Sequence, residues 1–217
     1  MTAAATRCPD QVAFYWDVAS PYAFLAVAQL DRLCRSTAVE ILFKPFFLGG
    51  VFRANGHQAP SQGSAKAAYL NDDLRRWRDF YGIAMRIPVE EVPFPINSVV
   101  PQRVALLAGR AGLGERYCRE VFAAYWGEGR DVSQLDVLAT VIAKVGLDPA
   151  PTLREAQAPE VKEALRQETA DAVGLGIFGA PTFVFAGDLY WGHDRMDLLA
   201  HALQKQAAER RACAASG

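Results

Sequence analysis

Sulfur is scarce in this sequence. Its 217 residues hold four cysteines, Cys8, Cys34, Cys118 and Cys213, and no two have the close spacing of a redox pair or a zinc knuckle. Four reduced thiols are expected, as in a reducing compartment. Cys34 and Cys118 fall in helical patterns as packing residues. Histidine is scarcer still. His57, His193 and His201 form no metal-ligand pair, so no metal is expected. No uncharged apolar run approaches the roughly 18 residues that span a bilayer. Residues 1–11 (MTAAATRCPDQ) lack the apolar stretch of a signal peptide. These absences point to a soluble cytoplasmic protein with no membrane partner. Charge of one sign is missing too: the formal net charge is −1, which argues against nucleic acid or an anionic membrane as a partner. A small molecule or a second copy of the chain is the expected partner. There are no repeats and no low-complexity tract.

What is present is a chain built for a core, 51% hydrophobic and 22% charged. Residues 12–17 (VAFYWD) have the apolar, aromatic character of a buried strand. Ser20 suits an N-cap and Pro21 a first helical position, so a helix is expected through YAFLAVAQLDRLCR. Residues 39–45 (VEILFKP) form a second strand pattern, making a parallel βαβ unit. Residues 47–63 carry the Gly, Asn and Pro of a loop. Five amphipathic helices follow: SAKAAYLNDDLRRWRDFYG, VVPQRVALLAGRAG, GERYCREVFAAYWGEG, SQLDVLATVIAKVG (with Ser133 as its cap) and APEVKEALRQETADAVGLG. The proline-bearing loop IPVEEVPFPINS lies between the first two.

The period then shortens. PTFVFAG (181–187) and DLYWG (188–192) read as a hairpin turning at Gly187-Asp188. DRMDLLAHALQKQAAERR closes the chain as a helix, with ACAASG frayed. The order β-α-β, helices, β-β-α gives an α/β thioredoxin-like fold interrupted by an all-helical insertion. Its boundaries are 10–50 for the first half, 51–176 for the helical subdomain with its leading loop, and 177–212 for the second half. Neither half alone covers its sheet.

Three stretches carry a family resemblance: FYWDVASPYAFLA (14–26), the loop FLGGVF…NGHQAP, and FGAPTFVFAGDLYWGHDRMDLLAHAL. Together they resemble the DsbA-like branch of the thioredoxin superfamily, and more narrowly the kappa-class glutathione transferases and 2-hydroxychromene-2-carboxylate isomerases. AYWGEGRDVS and YGI…PFPINS look closer to the isomerases. In redox relatives the corner after the first strand reads Cys-x-x-Cys; here it reads Ser-x-x-Ala, Ser20 to Ala23. Both sulfurs are gone, which argues against thiol–disulfide exchange. No histidine forms an obvious triad with Ser20, which argues against serine hydrolysis.

The resemblance implies glutathione as cofactor, an unsaturated aromatic keto acid as substrate, cis–trans isomerisation by reversible thiolate addition, and a homodimer. The alternative is a kappa-like transferase or peroxidase that consumes glutathione. Ser20 is the implied catalytic residue, donating a hydrogen bond to the glutathione sulfur at a helix start that favours negative charge. On the residues alone it is an N-cap contributing about 1 kcal/mol. Pro181 matches the superfamily's cis-proline, with Ala180 presenting its backbone to the tripeptide like an added strand; an ordinary trans proline opening a strand stays open. In WGHDR the resemblance assigns Trp191, Gly192, His193 and Asp194 to the tripeptide, the last two to its γ-glutamyl end, while Asp194 alone reads as a helix cap. The loop departs from its relatives: either His57 contacts the tripeptide, or Asn55 reaches in and His57 is solvated. Val51, Asn55 and Asn97 are the implied second-substrate contacts, although Asn97 also reads as a cap. Asp17 orders the corner or caps a backbone N–H. Lys44, Arg53 and Arg103 are candidate partners for a substrate carboxylate, against solvation. Phe46, Phe47, Tyr81, Trp126 and Trp191 either wall an apolar pocket or lie in the core.

Overall fold

The computed structural model describes residues 10–58, 63–87 and 94–215. Cys8, the chain start, Pro88 and Pro93 of the second loop, and residues 216–217 lie outside the described residues. The chain begins with strand β1 (Gln11–Trp16), helices α1 (Pro21–Val27) and α2 (Leu30–Thr37), and strand β2 (Glu40–Pro45). Then come α3 (Leu48–Ala54), α4 (Ala65–Tyr81), α5 (Val99–Arg110), α6 (Gly114–Phe122), α7 (Leu135–Val145), α8 (Pro149–Glu155) and α9 (Pro159–Gly174). Strands β3 (Thr182–Phe185) and β4 (Asp188–Trp191) and helix α10 (Met196–Ala215) follow. The strands make one sheet in the order β2-β1-β3-β4, with β1 and β2 parallel and the other pairs antiparallel. This is the thioredoxin-like order expected from the sequence.

The period of two in β1 divides its side chains between two cores. Val12, Phe14 and Trp16 enter the larger one with residues of α1, α2, α5–α7 and α10. Tyr15 enters a smaller one with Phe46, Leu48, Val51, Ala172 and Ile177, where α3 and α9 pack. Register sets the ring contacts: Phe14 stacks on Phe183 at 4.9 Å and meets Phe43 edge-on at 5.8 Å. Truncating such a ring to alanine costs about 3–5 kcal/mol.

Several local expectations are corrected. The first helix is two. At Gln29 the N–H closes on Ala26 O at 2.9 Å, an i−3 turn, and α2 then packs on α10. Residues 48–54 are helical rather than loop. Gly49 and Gly50 serve close approach instead of a turn: a Cβ there would stand 2.7 Å from the Phe47 ring and 3.0 Å from Thr169 Cγ2. Helix α8 was not anticipated, although Asp148 caps it (Ala150 N at 3.2 Å) and Pro149 opens it. Ser133 does not cap α7. Its hydroxyl bonds Asp131 at 2.6 Å, and Gln134 takes the cap position without a side-chain bond. The hairpin turns through Ala186 and Gly187, both at positive φ, one residue earlier than expected. Helix α10 continues to Ala215 instead of fraying at 212.

Candidate functional site

The corner between β1 and α1 is set by short-range geometry. Ser20 is extended (φ −92°, ψ 114°) and its Oγ accepts Ala23 N–H at 3.2 Å, with Pro21 opening the helix. Its hydroxyl donates to Ala180 O at 2.8 Å, across 160 positions of sequence. The Ala180–Pro181 peptide is cis. The serine motif and the proline motif therefore meet, and Ser20 is almost fully buried between them.

Asp17 is the hub behind this corner. Its carboxylate is fully buried and accepts from Ala19 N (2.9 Å), Leu48 N (2.8 Å) and Ser98 Oγ (3.0 Å). It thus caps α3 and ties the start of α5 to β1. Burial pushes its pKa up to about 6, against the lowering by those three bonds. The Gln102 amide donates to Trp16 O (2.9 Å) and Phe46 O (3.1 Å), and Trp126 Nε1 donates to Val18 O at 2.8 Å. Trp126 sits on a π-helical turn (Ala123–Gly127) that prolongs α6. The helical segment thereby holds the backbone of the corner. Ser98 and Gln102 were missed in the sequence; only their polarity within an apolar helix start marked them.

The far end of the β3–β4 hairpin carries the WGHDR residues. Gly192 has φ 104° and donates to Pro181 O at 2.9 Å, and a Cβ there would clash with Asp194 Oδ1. His193 is buried. It stacks on Tyr22 (5.5 Å, 8°), meets Trp77 edge-on at 4.5 Å, and its Nδ1 lies 3.1 Å from Tyr81 Oη. Burial lowers its pKa, with Asp194 and Asp73 opposing, so the ring is neutral at pH 7. Asp194 pairs with Arg195 at 2.7 Å in the short 3-10 turn before α10. A cavity of about 350 Å³ is lined by Arg32, Trp77, Tyr81, His193, Asp194 and others. Trp191 is half exposed and covers Gly179 and Phe178.

Val51 is buried in the smaller core. Asn55 turns back to donate to Val51 O at 2.9 Å. His57 is exposed beside Phe52. Asn97 is exposed and accepts Val99 N–H at 3.2 Å, a capping contact. No hydrogen bond among the described residues ties these four to Ser20. Lys44 faces Glu168 at 3.8 Å, whereas Arg53 and Arg103 line one groove. Of the five aromatic candidates, Phe46 and Trp126 are core, Tyr81 lines the cavity and Phe47 the groove. Among the described residues, no three His, Cys, Asp or Glu side chains gather as a metal site, and no helix is long and apolar enough to cross a membrane.

Comparison with known proteins bears on the family and the fold. A family profile described as a DSBA-like thioredoxin domain matches residues 11–204. The 2-hydroxychromene-2-carboxylate isomerase of Pseudomonas putida is 29% identical over 194 residues, covering 88% of this chain and 93% of that protein. The glutathione S-transferase kappa 1 of Rattus norvegicus is 25% identical over 206 residues, covering 90% and 91%. A solved structure of 2-hydroxychromene-2-carboxylate isomerase superposes with a TM-score of 0.83 at 28% identity, over 94% of this chain and 98% of that one.

Proposed function

On the premise that the chain belongs to the DSBA-like thioredoxin domain family, we propose that it is a glutathione-dependent cis–trans isomerase of 2-hydroxychromene-2-carboxylate-like aromatic ring-fission products. The observation that carries this reading is the Ser20 hydroxyl, buried at a helix start and 2.8 Å from the carbonyl that precedes cis-Pro181. A corner shaped for a thiolate, with serine in place of cysteine, suits a thiolate brought by a ligand. The isomerases among its relatives support the reaction class.

The residues present fit the tripeptide. Ser20 turns its one hydroxyl proton from Ala180 O to the sulfur. Together with the first-turn N–H groups of α1 it lowers the thiol pKa. Ala180 O is then free to accept the cysteinyl N–H in the manner of an added strand. With Tyr81 O–H donating to Nδ1 of His193, the Nε2–H of that ring is the donor left for a γ-glutamyl carboxylate, and Asp194 meets the ammonium group. Held by Ser20, Ala180, His193 and Asp194, glutathione would supply a thiolate for reversible addition to a conjugated carbon, the chemistry that lets a stiff double bond turn as a single one. The protein contributes proximity and a fixed field at the developing charge. His57, Trp191 and Gly192 border the tripeptide in this reading, and Asn55 and Asn97 the second substrate, whereas Val51 is enclosed in the smaller core and borders neither. The cytoplasm, where glutathione is reduced, is the proposed location. A homodimer fits the exposed Leu175, Phe178, Leu189 and Trp191 around the hairpin.

The kappa transferases among the relatives favour a second reading, in which glutathione is consumed at the same site. One experiment separates the two: isomerisation followed by absorbance, with and without glutathione, while free thiol is titrated before and after. Turnover that needs glutathione and spends none supports the isomerase. Thiol loss on an electrophile or peroxide without isomerisation overturns it in favour of the transferase.

A further inference from the structure

Between α3, α5 and α9 lies a groove of about 720 Å³, within the roughly 300–1,000 Å³ usual for small-molecule sites. Phe47 and Leu165 supply apolar wall. Arg53, Arg103, Lys162 and Arg166 also line it, and no acidic residue does. Arg166 is paired with Glu163. Arg53 and Lys162 make no ion pair among the described residues. Arg103 has only the Gln157 amide, Nη1 to Oε1 at 3.3 Å, and its Nε is shielded from solvent without a hydrogen-bond partner. Three cations thus line one largely apolar groove with no carboxylate in its lining to answer them, and a guanidinium nitrogen lacks its acceptor. The groove also borders the corner: α3 and α5 both begin on Asp17, through Leu48 and Ser98.

We propose that this groove binds an aromatic carboxylate, its anion held by Arg53, Arg103 and Lys162 and its ring against Phe47 and Leu165. That this acid is the isomerase substrate rests on the function proposed above; that the groove takes an aromatic acid does not. Size and apolar wall favour a small aromatic anion over a polymer backbone. A guanidinium fork suits a carboxylate in two-point contact.

The test is direct binding of coumarin-3-carboxylate, followed by its fluorescence, beside the neutral coumarin-3-carboxamide. The acid is expected to bind at least about tenfold more tightly than the amide, the scale of one or two charge-assisted hydrogen bonds. Arg53→Gln combined with Lys162→Gln removes that preference, and both residues are exposed, so the variant folds. Arg103→Gln weakens the acid further. Equal binding of acid and amide, native-like binding by the double variant, or displacement of the probe by S-methylglutathione each overturns the proposal. If the groove binds the acid in a protein that isomerises nothing, the inference stands and the proposed function falls. If isomerisation proceeds with an unchanged KM in the double variant, the proposed function stands and the groove is not where its substrate binds.

Discussion

The corner at Ser20 and the groove beside it share the starts of α3 and α5, yet they hold their polar groups in opposite ways. At the corner the Asp17 carboxylate, the Ser20 hydroxyl and the Gln102 amide are buried, and each is answered by a distant part of the chain. In the groove the cations are largely exposed and lack acidic partners. A buried, fully partnered network is rigid and keeps a reacting atom in place. An open set of like charges leaves its partner to be supplied by the ligand. On the function and the groove ligand proposed above, chemistry belongs to the first arrangement and selection of the substrate to the second.

Breaking the corner gives the largest expected effect. Ser20→Ala lowers turnover by about 10²-fold or more, the scale of losing one preorganised donor, while stability falls only by about 1 kcal/mol for the lost cap. Steady-state kinetics beside urea unfolding separates the two. Full activity of the variant at neutral pH rules out the role given to Ser20. Asp17→Ala is next. It strands the N–H groups of Ala19 and Leu48 and the Ser98 hydroxyl away from water, and costs about 3 kcal/mol in urea unfolding.

The pH response of Asp17 is smaller and has a definite sign. Burial holds its folded pKa at about 6, above the ordinary carboxylate value of 3.8. Between those values the native state holds a proton that the unfolded chain has released, so this group's contribution to stability is full below the lower value and is lost as pH rises through the higher. Asp17→Asn flattens that part of the curve, which unfolding at pH 4.5 and pH 7 measures; an unchanged slope would assign it to other groups. The smallest effect is at His193. Its imidazole titrates below 6.5 in NMR, and Asp194→Asn lowers it further by removing the nearby charge that opposes burial. A rise in that variant would reverse the assigned cause.

Much of the fold was legible because its signals are local. A β-rich run, a serine cap and Pro21 announce β1 and α1, and the change of period near Pro181 announces the hairpin. The corner was legible for the same reason: Ser20 is defined by the residues on either side of it. What escaped depends on contacts between distant segments. Gly49-Gly50 looks like a turn until Phe47 and Thr169 are seen against it. Val51 reads as a loop residue until Tyr15 and Ile177 enclose it. Asp17 has one partner beside it, Ala19, and two at the starts of α3 and α5, and neither its neighbours nor its spacing reveals Leu48 or Ser98. The break at Gln29 carries no glycine or proline, so propensity gave no warning of it.

The place of β3 in the sheet bears on how the protein is made. It pairs with β1 and carries β4, but it is synthesised only after α3 to α9. Until then β1 and β2 form a two-stranded ribbon with an open edge, too small to be stable alone. The acceptor for the Ser20 hydroxyl, Ala180, also emerges late. A chain stalled on the ribosome before β3 therefore has neither a closed sheet nor a finished corner, and presents a bare strand edge to chaperones and to other nascent chains.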